Sequence, residues 1–110
     1  MEFTKDYVSQ IPEPHRDFLL ALWPIIDSRQ THAVLQIGGM PFSRLYGMLL
    51  QRHGYEPFEA RRVADDLKQA GLVEEDLHGF FTPTGRGEAL LLAIREVPVE
   101  RGRVPVFPQN

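Results

Sequence analysis

Two amphipathic segments separated by about three residues constrain this chain more than any other feature. The first, "PFSRLYGMLLQRHG" at 41–54, opens on proline, spaces Phe42, Leu45, Tyr46 and Leu49 along one helical face, and ends at a glycine. After Tyr55 and Glu56 a second proline opens "PFEARRVADDLKQAG", where Ala60, Val63, Ala64 and Leu67 form a buried stripe that stops at Gly71. Helices joined this closely dock as a pair and leave one polar flank free.

The rest of the chain supplies what such a pair needs to build a core. "PEP" at 12–14 marks the start of an earlier helix, with Phe18, Leu19, Leu22, Trp23 and Ile26 on one stripe and a kink expected at Pro24. "THAVLQI" at 31–37 reads as one short strand turned by Gly38 and Gly39. "LVEEDLHGFFT" reads as two short antiparallel strands around a turn containing Gly79, with Leu72 and Phe80 plugging the hairpin onto the helices. Thr84 caps a last helix that buries Leu90, Leu91 and Ile94, while Gly85 and Gly87 weaken its first turn and Pro98 ends it. The expected layout is an N-terminal arm over 1–11, one domain over 12–96 and an extended, proline-punctuated tail over 97–110. The fold class is mainly α with a small β-sheet (α+β).

Composition narrows the function classes. The 110 residues fit one small domain, and a hydrophobic share of 43% fits a packed core. Without cysteine there is no disulfide, thiolate metal site or thiol nucleophile, in keeping with a reducing cytoplasm. "MEFTKDYVSQ" lacks a basic start and apolar run, and "FLLALWPII" is too short to span a bilayer, so a cytoplasmic, non-exported chain without membrane contact is expected. The net charge of −3 has the wrong sign for coating nucleic acid by bulk electrostatics.

The order helix, strand, helix, helix, strand, strand, helix, together with "L..AGLVEE....FFTPTGRGEALL" near its end, resembles a winged helix-turn-helix domain of the bacterial multiple-antibiotic-resistance type and related small regulators. The resemblance covers about half of the chain, residues 41–94. It implies that the helix at 57–70 enters a DNA major groove, that the hairpin acts as a wing, and that two copies pair so that their helices lie about one DNA turn apart. It also implies a transcriptional regulator.

The residues in those places give a mixed answer. Phe58, Arg62, Asp65 and Gln69 lie opposite the buried stripe, with Arg61 and Lys68 on one flank. Arg62 has the fork to pair with guanine, Gln69 with adenine, and Arg44, Arg52, Arg61 and Lys68 suit phosphates. Residues 40–73 nevertheless carry five Lys/Arg against four Asp/Glu, and the same charges also suit a solvated helix face. Glu74, Glu75 and Asp76 depart from the basic wing of DNA-binding members. Within a Debye length of about 8 Å, three carboxylates would repel a phosphate chain.

Two expectations follow: a homodimeric DNA reader using Arg44, Arg52, Arg61, Arg62, Lys68 and Gln69, or an adaptor that grips a protein through Phe58, Glu74, Glu75, Asp76 and Phe107. Phe3, Tyr7 and Phe107 suit either a dimer seam or packing onto their own domain. No enzymatic activity, cofactor or metal is expected. The four histidines lack metal spacing, "GRG" at 85–87 lacks the rest of a phosphate loop, and no serine carries a nucleophile motif.

Overall fold

The computed structural model describes residues 3–30 and 38–96. In chain order the elements are α1 (Lys5–Ser9), α2 (Glu13–Leu20), α3 (Trp23–Gln30), β1 (Met40–Pro41), α4 (Phe42–His53), α5 (Pro57–Gln69), β2 (Val73–Glu75), β3 (Phe80–Pro83) and α6 (Gly85–Glu96). The fold is mainly helical with a small three-stranded antiparallel sheet in the order β1-β3-β2.

The docked helix pair forms as its sequence dictates. Leu45 and Leu49 of α4 are fully buried, as are Ala60 and Ala64 of α5, with Val63 and Leu67 nearly so. Gly54 closes α4 at φ 69°, a left-handed conformation that favours glycine. Glu56 and Glu59 form a reciprocal capping box at the start of α5, holding two backbone N–H groups that the helix itself leaves unpaired. α2 lies across this pair and also meets α6, so Phe18 and Leu19 end at the centre of the core.

Several local expectations are corrected. Pro24 does not kink a continuous helix. Lacking an N–H to return to the carbonyl of Leu20, it sits in the first turn of a new helix, α3, after a break at Ala21 and Leu22. The arm at 1–11 contains α1, capped by the Thr4 hydroxyl, which accepts from the Tyr7 N–H at 3.1 Å, and Val8 is buried. The strand read at 31–37 and the tail at 97–110 lie outside the described residues. The first strand described is Met40–Pro41, paired with Phe81 and Phe80.

In the hairpin, Phe81 rather than Phe80 is the plug. Side chains alternate across β3, so Phe81 and Pro83 face inward while Phe80 stays 39% exposed. Phe81 meets Phe18 edge to face, with centroids 5.4 Å apart at 85°.

Gly87 has a different role from the weakening expected of it. A Cβ at this position would lie 1.9 Å from the carbonyl oxygen of Leu72, so only glycine lets α6 approach that backbone. Thr84 locks the same junction: its N–H donates to Leu72 O at 3.0 Å, its hydroxyl donates to Gly71 O at 2.6 Å, and that hydroxyl accepts from the Gly87 N–H at 3.0 Å. Gly87→Ala should therefore lower unfolding stability by roughly 3 kcal/mol. Gly85→Ala, with open space around its Cβ, should leave stability unchanged or raise it by about 0.5 kcal/mol. Urea denaturation of the two variants beside the parent chain checks the contrast.

Candidate interaction face

The capping box and the buried stripe fix the rotation of α5, and that rotation decides which side chains reach solvent. Phe58 is 66% exposed in the first turn, and Arg62, Asp65 and Gln69 follow on the outer side. Arg62 makes no ion pair among the described residues, nor does Arg44 in the first turn of α4. Arg52 lies 3.5 Å from Asp17 of α2, and Asp17 also holds His53 Nε2 at 2.8 Å.

The two flank cations are engaged within the molecule. Arg61 donates to Glu75 through both terminal nitrogens, with Nη1 at 3.1 Å from Oε2 and Nη2 at 2.5 Å from Oε1. Lys68 Nζ donates to the same Oε1 at 2.9 Å. Glu75 thus joins two cations seven residues apart on α5 to the hairpin. A weaker contact of 3.6 Å links Arg61 to Asp65 one turn along. The guanidinium also lies over the rings of Phe42 and Phe81, 5.2 and 5.8 Å from their centroids. A planar, charge-delocalised group can satisfy a carboxylate in its plane and aromatic faces above it at once.

The acidic run divides into three different environments. Glu74 lies opposite Thr82 in the strand register and is exposed. Glu75 points to α5. Asp76 folds back on the turn, where its Oδ1 accepts from the N–H groups of His78 at 2.8 Å and Phe80 at 3.0 Å. An aspartate in this place organises a tight turn by mimicking a backbone acceptor. At the apex Leu77 is fully exposed, a residue that sequence reasoning did not single out. Phe107 lies outside the described residues.

A signal for the Glu75 pairing was present in the strand pattern. Val73 and Glu75 share parity on β2, so the face that buries Val73 carries Glu75 toward the helices. Its distance to Arg61 and Lys68, however, depends on how the hairpin leans on α5. The Leu72 N–H, which donates to Leu67 O at 2.9 Å beyond the left-handed Gly71, sets that angle.

The electrostatics follow from these contacts. Glu75 is held below the usual carboxylate range, chiefly by its hydrogen bonds from Arg61, with Lys68 adding to the effect against the opposing influence of burial. Arg61 is raised in turn, mainly by the Glu75 hydrogen bond. Asp76 is lowered, first by the Phe80 N–H and then by the His78 N–H.

Among the described residues no group of three or more His, Asp or Glu is placed to hold a metal ion, and no helix is long and apolar enough to cross a membrane. No protein-family model, curated protein or solved structure matches the chain.

The depressed Glu75 titration carries a pH signature. A carboxylate whose folded pKa lies below its unfolded value of about 4.3 adds stability that is complete above that value and is lost as pH falls through the lower one. Glu75→Gln should therefore lower stability at neutral pH and flatten the acid limb of the stability profile. With Arg61 and Lys68 each more than a third exposed, solvent screening holds the loss to about 1 kcal/mol. Denaturant titrations of parent and variant between neutral and acid pH measure both effects.

Proposed function

We propose that this chain is a winged-helix module that grips a protein partner through α5 and the hairpin. The winged-helix part of the reading is supported by the succession α2, α3, β1, α4, α5, β2, β3, α6, with β3 lying between β1 and β2. The partner class is supported by one observation above others: Glu75 occupies Arg61 and Lys68, two of the cations that a phosphate backbone would need.

Once the internal pairs are subtracted, the exposed side chains on α5 and the hairpin include the apolar Phe58, Leu77 and Phe80 and the unpaired Arg62, set among Asp65, Gln69, Glu74 and His78. Aromatic residues with a free arginine are the composition of protein-binding hot spots, whereas duplex DNA demands several free cations for counterion release. The same subtraction removes one acid from the partner surface. Glu75 is taken up by α5, whereas Glu74 and the exposed Asp76, which organises the turn through Oδ1 alone, are left to meet a basic partner.

A second reading, a homodimeric DNA reader, is favoured by the outer placement of Arg62 and Gln69 on α5, whose forked and amide side chains suit guanine and adenine in a major groove. In that reading Arg44 supplies a phosphate contact, and pairing of two copies sets the spacing of half-sites. At the N-terminus, the Phe3 ring lies tilted against Tyr7 and under Arg86 of its own chain, which leaves Tyr7 as the more exposed aromatic for a seam.

The two readings separate on paired measurements. In a mobility-shift titration the parent chain is expected to bind random duplex DNA weakly even at low salt, and Glu75→Gln is expected to bind more tightly because it removes the acid that occupies two cations. In a crosslinking capture experiment, the parent chain should retain a partner that the double variant Phe58→Ser with Leu77→Ser loses at unchanged stability. Tight, steeply salt-dependent DNA binding by the parent chain, abolished by Arg62→Ala, would establish the DNA reading instead.

A further inference from the structure

Between α1, α2, α5 and α6 lies a cleft of about 270 Å³, apart from any role of the α5 and hairpin face. Leu19, Leu67, Leu72 and Leu90 line it and are themselves buried, whereas Tyr7, Pro12 and Ala70 stand where it meets solvent and are exposed. The opening is therefore mostly apolar, with Gln10 and the 52% exposed carboxylate of Asp66 as its polar edge. Tyrosine, proline and alanine around a leucine-lined recess gain by being covered.

Composition, charge and reach all select the same cover. The described residues end at Glu96, the last residue of α6, and the chain continues as "VPVERGRVPVFPQN". Val97, Val99, Val104, Val106 and Phe107 are sizeable apolar side chains that gain by leaving water. Pro98, Pro105 and Pro108 fix φ, so less backbone freedom is lost when such a segment is seated against a surface. Arg101 and Arg103 outnumber Glu100, a balance opposite in sign to the chain's net charge of −3, and Asp66 offers them a carboxylate at the edge of the cleft.

The distances are within reach. α6 lines the cleft through Leu90, and the helix from there to Glu96 rises about 9 Å. From Glu96 to Phe107 the extended chain spans up to about 36 Å, so it can turn at Gly102 and return to the cleft with length to spare. A cavity of about 150 Å³ holds benzene, which leaves room here for a phenylalanine ring and part of a valine.

We propose that this cleft is the seat of the chain's own C-terminal segment, with Phe107 in the recess and Arg103 beside Asp66. Phe107 is then taken up within the molecule and does not serve the partner surface of α5 and the hairpin. An apolar peptide from outside reaches the cleft only by displacing this segment.

Because the chain contains no cysteine, Asn110→Cys gives a single attachment point for a nitroxide spin label on the full chain. Amide NMR is expected to show paramagnetic broadening at Gln10, Leu67, Ala70 and Leu72, and none at Leu77 on the hairpin apex. When the label is carried by one set of molecules and the amides are observed in another, no broadening should appear. Phe107→Ser, which lies outside the core, should remove the effect. Asp66→Arg should weaken it, and Arg101→Asp with Arg103→Asp in that background should restore it. Broadening that is spread evenly over the chain, that survives Phe107→Ser or Asp66→Arg undiminished, or that the paired arginine substitutions fail to restore would overturn the assignment. Broadening between molecules would overturn it too, by giving the cleft to the tail of a second copy. None of these readouts depends on what the α5 and hairpin face contacts.

Discussion

The close approach of α6 to the backbone of Leu72 is the constraint on which the rest of the arrangement depends. Leu72 is where α5 ends and the hairpin begins, and its carbonyl lies where any side chain at position 87 would have to be. Because Thr84 bonds both Gly71 and Leu72 while capping α6, one junction fixes the exit of α5, the root of β2 and the start of α6 together. Leu90, Leu91 and Ile94 can then complete the core that Phe18 and Phe81 begin. Such a junction transmits shape through packed backbone, where a displacement of a few tenths of an ångström has no empty space to absorb it.

The electrostatic character of the molecule follows from that geometry. With the hairpin root fixed, the parity of β2 aims Glu75 at α5, between Arg61 and Lys68. A surface that reads as cationic helix beside acidic wing in one dimension becomes internally neutralised in three. The consequence reaches both functional readings, since a DNA reader loses two phosphate contacts and an acidic adaptor loses one of its acids, Glu75. What α5 and the hairpin leave outward includes Phe58, Leu77 and Phe80 beside Arg62, apolar area that gains from excluding water.

Much of the fold was legible residue by residue. The stripes of α4 and α5, the glycines that end them, the hairpin around Gly79, the Thr84 cap and the inward leucines of α6 all follow from periodicity and local backbone chemistry. The misses have physical causes. Pro24 marked a boundary, but whether it kinks a helix or begins one depends on whether Leu22 is drawn into the core, and Leu22 is fully buried. Phe80 and Phe81 are equal as hydrophobes, so only the register with β1 and β2 chose between them. Gly87 looked like a local weakness because its neighbour in space, Leu72, is distant in the chain. Of the candidate site, the outward placement of Phe58, Arg62 and Gln69 could be read from helical spacing; the occupation of Arg61 and Lys68 could not.

The sequence by itself determined the helices α4, α5 and α6 and which face of each turns inward, because those choices rest on interactions between residues a few positions apart. The tertiary structure decided what the charges do. Whether Glu75 faces solvent or two cations, and whether His15 and Asp66 meet across 51 positions of chain, depends on the angle at which finished elements pack. Electrostatic energy varies with distance and solvent exposure, and neither quantity exists until the core has closed.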